Sequence, residues 1–103
     1  MVTQSAYRSF AEFYPHYLAE HSNRTSRRLH FIGTTLVPVL LLGAVLTGNG
    51  WLAMFAPIQA YGLAWTGHFV FEHNRPATFR HPWWSLRGDW RMWREMLSGK
   101  IRF

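Results

Sequence analysis

A chain of 103 residues supports one domain and one core, and its 16% of charged residues falls well below the quarter usual in soluble domains. The formal charge of +6 comes with no glycine-rich phosphate loop and no nucleic-acid motif, so the basic balance points to a membrane surface and not to nucleic acid. The absence of cysteine excludes disulfides and thiolate metal sites.

The first 28 residues are polar and aromatic, without the early apolar core of a signal peptide. Tyr7, Phe10, Tyr14, Tyr17 and His21 recur at helical spacing and predict an amphipathic helix over residues 5–21. Pro15 predicts a kink there, or a fresh start. The sequence Ser22-Asn23-Arg24-Thr25 reads as a break, with Asn23 or Thr25 capping the next helix.

From Phe31 to Phe71 the chain holds no Asp, Glu, Lys or Arg. Two apolar segments are predicted, over residues 28–46 and 51–73, with a turn at Thr47-Gly48-Asn49-Gly50. At 1.5 Å per residue the charge-free part of the second spans roughly 31 Å, near the ~30 Å hydrocarbon thickness. Phe31 to Leu46 covers only about 24 Å and carries Pro38. Gly43 and Gly62 offer places for close helix approach. Pro76 ends the second segment. A last helix is predicted from Trp83 to Ser98, with Trp83, Leu86, Trp90, Trp93 and Leu97 on one face and Arg87, Arg91 and Arg94 on another. That pattern suits a membrane interface or packing on the domain's own core.

These elements predict an all-α fold over residues 1–103: a membrane helical hairpin with N-terminal and C-terminal amphipathic helices. Four Arg precede the apolar block, and six Arg with Lys100 follow it. The positive-inside rule then puts both termini in the cytoplasm. The expected setting is integral and multi-pass, in a bacterial inner membrane or a eukaryotic endoplasmic reticulum. A two-helix hairpin encloses little, which makes a homodimer a reasonable assembly.

Folding the apolar run at its turn, centred near position 48.5, brings His30 and His68 to the same depth. His21 and His73 lie just beyond. His68 and Glu72, four apart, share a helix face, whereas His73 is about 140° round from His68. His21 reaches the same end if the chain bends at the Ser22–Thr25 break. The constellation is therefore His21, His30 and His68 with Glu72, and His73 in reserve, while His16 and His81 read as interfacial residues. Imidazole and carboxylate ligands without sulfur suit Fe(II), Mn(II) or Zn(II). Equally, histidines near an interface can bond only headgroups or backbone.

The motifs His21-x-Asn23-x4-Arg28-x-His30-x2-Gly33-Thr34 and Gly67-His68-x2-Phe71-Glu72-x-Asn74-Arg75-Pro76-Ala77 resemble the fungal 2-hydroxy fatty acid dioxygenase family, which metabolises phytosphingosine to odd-numbered fatty acids. The resemblance covers nearly the whole chain and includes the Ser85-Leu86 and Asp89-Trp90 region of short bacterial members. It implies an oxidoreductase that uses iron, Fe(2+), and O2 to cleave 2-hydroxy fatty acids to acids one carbon shorter. It implies metal ligands at His21, His30 and His68. Glu72 would be a fourth ligand or a base, and Arg28 or Arg75 could pair with the substrate carboxylate or with lipid phosphate. The chain departs from the fungal proteins in having two clear apolar segments where they have more. Two other readings stand beside this one: a bis-histidine haem protein for electron transfer, and a non-enzymatic membrane or lipid-binding module.

Overall fold

The computed structural model describes residues 7–103, so Ser5 and Ala6 of the expected first helix lie outside the described residues. Among those described, all regular structure is helical: α1 (Phe10–Ala19), α2 (Arg24–Thr47), α3 (Gly50–Thr66), a π-helical segment (Gly67–Glu72), a 3-10 turn (Ala77–Phe79) and α4 (Pro82–Leu97).

Helix α1 starts where Ser9 caps it, the hydroxyl accepting from the Glu12 N–H at 3.2 Å. It runs through Pro15 without restarting there. Pro15 and Ala11, whose carbonyl the proline leaves without a helical partner, both lie on the exposed face of the helix. Phe10, Phe13, Tyr14 and Tyr17 form the buried face, at i, i+3, i+4 and i+7. Phe13 is fully buried although it lies outside the predicted aromatic stripe.

Asn23 caps α2 through its side-chain oxygen, which accepts from Ser26 N–H at 3.0 Å. Gly48, at φ +70°, ends the helix in the left-handed region, and Asn49 caps α3. Helices α2 and α3 pack antiparallel as the expected hairpin. Their close approach falls at Gly33, not at Gly43 or Gly62. A Cβ on Gly33 would lie 3.1 Å from Ala60 Cα, whereas one on Gly62 would meet nothing within 4 Å. Gln59 Nε2 donates to the Gly33 carbonyl at 2.8 Å and reinforces the crossing.

The second apolar segment is not one continuous α-helix. Helix α3 stops at Thr66 after 17 residues, about 26 Å, and the chain continues as the π segment. Among the described residues α2, of 24 residues, is the one helix long and apolar enough to cross a membrane.

Helix α4 buries Ser85, Gly88, Met92, Glu95 and Met96 and leaves Trp83 79% exposed. Its inward face is thus not the tryptophan stripe. The rings of α1 occupy that side, and Tyr17 lies flat against Gly88, where a Cβ would sit 3.0 Å from the ring. An indole at such a crossing would not fit. Trp93 Nε1 donates to Thr35 Oγ1 at 2.8 Å and ties α4 to α2. The C-terminal tail returns to α2, where Arg24 and Arg28 each donate to the Phe103 carbonyl, at 3.1 and 3.0 Å.

Candidate metal centre

Three elements converge at the open end of the hairpin. The turn after α1 supplies His21, α2 supplies His30, and the π segment supplies His68. All three side chains are buried, and each offers one ligand atom within 4.8 Å of the other two. Ring centroids are 4.5 Å apart for His21 and His68, and 5.0 Å for His21 and His30.

An oxygen atom lies beside one nitrogen of each ring. His21 Nδ1 lies 2.6 Å from the Tyr17 carbonyl, which can only accept, so Nδ1 carries the proton. Asn74 Nδ2 donates to the Glu20 carbonyl at 3.1 Å, which turns Asn74 Oδ1 toward His68 Nδ1 at 2.6 Å. His30 Nε2 lies 3.2 Å from Asp89 Oδ1. His21 and His68 thereby keep Nε2 for a ligand, the arrangement usual for metal-binding histidines.

His21 Nε2 is buried with no hydrogen-bond partner. Burial above all, with His30 and His68 beside it, holds the His21 pKa well below the ordinary value, so the ring is neutral and its lone pair is available. A buried, neutral, unpartnered nitrogen in a set of three imidazoles fits a divalent first-row metal.

Local backbone chemistry sets this geometry. The π segment uses i→i+5 bonding, which is frequent at functional sites. His73 ends it at φ +57°, in the left-handed region that a non-glycine residue rarely adopts. His73 and Asn74 N–H groups both bond the His68 carbonyl, and the Asn74 side chain comes back onto the His68 ring. Gly67 allows the approach, since a Cβ there would lie 2.6 Å from Ser26 Oγ.

Other predicted residues are placed elsewhere. The Glu72 carboxylate accepts from Asn23 N–H at 2.6 Å and is not grouped with the histidines. The α-helical phase that paired it with His68 does not hold in a π turn. His16 pairs with Glu20 at 3.2 Å, and His81 stacks on Trp84. Arg28 holds the C-terminal tail and Arg75 is exposed; neither lines the cavity described next.

A cavity of about 240 Å³ runs between α2, α3 and α4, with His30 and Asp89 among its walls. Ala56, Ala60 and Ala64, four apart, give it a shallow floor along α3. Leu41 lies 11 positions beyond His30, about 16 Å along α2. A smaller recess beside it touches all three histidines, and Asp89 borders both spaces.

Sequence reasoning missed Tyr17 as a partner of the site, together with Asn74 and Asp89. The Tyr17 hydroxyl donates to Asp89 Oδ1. Burial and that carboxylate push the Tyr17 phenol well above its ordinary pKa, so it stays a donor. Among only five acidic residues Asp89 was open to suspicion, but no spacing argument connects α4 to the hairpin.

No curated protein and no solved structure matches the chain. A family model described as 2-hydroxy-palmitic acid dioxygenase Mpo1-like matches residues 7–101, nearly the full length. By that match the chain belongs to the 2-hydroxy-palmitic acid dioxygenase Mpo1-like family.

Proposed function

We propose that the chain is a membrane-embedded, iron(II)-dependent dioxygenase that cleaves 2-hydroxy fatty acids to acids one carbon shorter. The observation that carries this reading is the junction of three buried imidazoles with an apolar groove, His30 belonging to both. The family description supplies the reaction and substrate class.

His21, His30 and His68 would hold the metal through the nitrogens their acceptors leave. Bound there, iron(II) would supply a Lewis acid for the hydroxyl and carboxylate of the substrate and redox chemistry for O2. The protein's own share is positional. Tyr17 and Asn74 hold the tautomers of His21 and His68. Glu72, by binding the Asn23 amide, anchors the start of the helix that carries His30. The alanine floor leaves room for an acyl chain whose head lies at the histidines. Arg28 and Arg75, away from the groove, suit lipid phosphates better than the substrate carboxylate.

The membrane reading rests on exposure. Only 17% of the apolar stretch of α2 is buried within the protein, too little for the core helix of a soluble domain. Leu42, Val45 and Leu46 on α2 and Trp51, Met54 and Ile58 on α3 are all exposed at the far end of the hairpin. Against a bis-histidine haem, the third imidazole within 4.8 Å of the other two leaves no plane for a macrocycle.

The test is anaerobic iron(II) loading of the purified protein, then O2 with 2-hydroxyhexadecanoate and its homologues. We expect about one iron per chain, the acid one carbon shorter, and loss of both in His68→Ala. Iron binding without product at any chain length would refute the activity. Wild-type iron affinity in His68→Ala would refute the site.

A further inference from the structure

We propose that Asp89 is a positioning residue of the histidine site: its carboxylate accepts from His30 and Tyr17 together and so fixes which nitrogen of His30 is left for a metal. The proposal rests on reading the cluster as a metal site and extends it to α4, which contributes no histidine to the cluster.

Three observations converge on Asp89. One oxygen, Oδ1, lies 3.2 Å from His30 Nε2 and also accepts from the Tyr17 hydroxyl. The Tyr17 backbone carbonyl in turn holds His21 Nδ1, and the Tyr17 ring stacks on the His21 ring at 4.0 Å. Asp89 and Tyr17 together therefore orient two of the three imidazoles. The packing beneath them is rigid. Tyr17 is fully buried, and its ring sits against Gly88, the residue before Asp89, so the α1–α4 crossing itself sets the carboxylate's position. Finally, the Asp89 side chain is only 15% exposed and walls both the histidine recess and the apolar groove.

The chemistry follows from the donor set. The Tyr17 hydroxyl offers a hydrogen to Asp89 Oδ1, and a carboxylate offers only acceptors. His30 completes the arrangement by presenting its Nε2–H, which assigns the lone pair to Nδ1. A carboxylate on an imidazole N–H fixes the tautomer and strengthens the other nitrogen as a ligand. A neutral side chain of the same shape would keep the orientation in part and lose the charge.

The experiment uses full-length, metal-free protein in detergent, titrated anaerobically with Co(II). Its visible bands report the ligand field, and competition with a chelator gives Kd. Asp89→Ala should raise Kd by about 10–100-fold, and Asp89→Asn by less, with shifted bands and unchanged stoichiometry. Tyr17→Phe, which keeps the carbonyl on His21, should cost less than Asp89→Ala. Glu95→Gln, on the same helix but away from the histidines, should lower stability and leave Kd alone. Wild-type Kd and bands in Asp89→Ala, or in Asp89→Asn if the alanine variant does not fold, overturn the proposal. A wild type that binds Co(II) but never turns over a 2-hydroxy acid with iron sinks the activity and leaves Asp89 its role. A wild type that binds no Co(II) overturns the metal reading from which both start.

Discussion

Glu95 shows how single side chains set the stability of the core around the site. Burial alone would raise its carboxyl, but the hydrogen bond from Tyr14, with Lys100 and Arg91 close by, outweighs it and holds the pKa below the ordinary value. Glu95 therefore stabilises the fold above the unfolded-state value of about 4.3, and that contribution is lost as pH falls through the lower folded value. We expect Glu95→Gln to lower the thermal unfolding midpoint at neutral pH, with the gap to wild type closing below about pH 4. A gap that persists in acid would show that shape and not charge is at work. Tyr14→Phe, which removes the donor from a charged acceptor, should cost about 1.5–3 kcal/mol. His30 and His68 were legible because polar rings stand out at the ends of a charge-free run, and His21 because the break at Ser22–Thr25 lets the chain bend back. Glu95 and Asp89 were not, since a carboxylate among arginines on an amphipathic helix reads as a solvated face until α1 is packed against it.

Helices and turns were legible wherever the local chemistry was strong. The Asn23 cap, the turn at Gly48 and Asn49, and the start of α4 near Pro82 all follow from residue type. The π segment did not, because 3.6-residue periodicity does not extend to Glu72: a wider turn shifts every residue after Gly67. Which glycine mediates the closest contact depends on helix rotation, which residue type alone leaves open. The contrast is measurable. Gly67→Ala forces a methyl against Ser26, where Oγ, Cα and Cβ all lie within 3.2 Å, and should cost about 1–3 kcal/mol and weaken metal binding. Gly62→Ala, in an exposed turn of α3 with nothing within 4 Å, should stabilise by up to about 1 kcal/mol and leave the site untouched. Equal effects in denaturant melts would remove Gly67 as the contact that brings His68 against α2.

Residues 7–103 form an elongated body, 51 Å by 26 Å by 25 Å, with aromatic packing at one end and a bare apolar hairpin at the other. Its all-helical class and hairpin order were readable from the distribution of charge. The groove was not, because it needs α4 as a third wall, and α4 shows its alignment only through Tyr17, Gly88 and Thr35. Leu41, Tyr61, Leu86 and Trp90 line that groove and are each 37–44% exposed, so it opens sideways onto the same apolar surface that the hairpin presents. On the proposed membrane reading, a substrate in the bilayer would reach the histidines by lateral diffusion, without passing through water. The kinetics should accordingly be two-dimensional. In mixed micelles, turnover should track the mole fraction of 2-hydroxy acid, and added detergent at constant bulk substrate should slow it. Rates that ignore such dilution would mean that the protein draws substrate from solution, and that its lipid surroundings are only a support and not the reservoir.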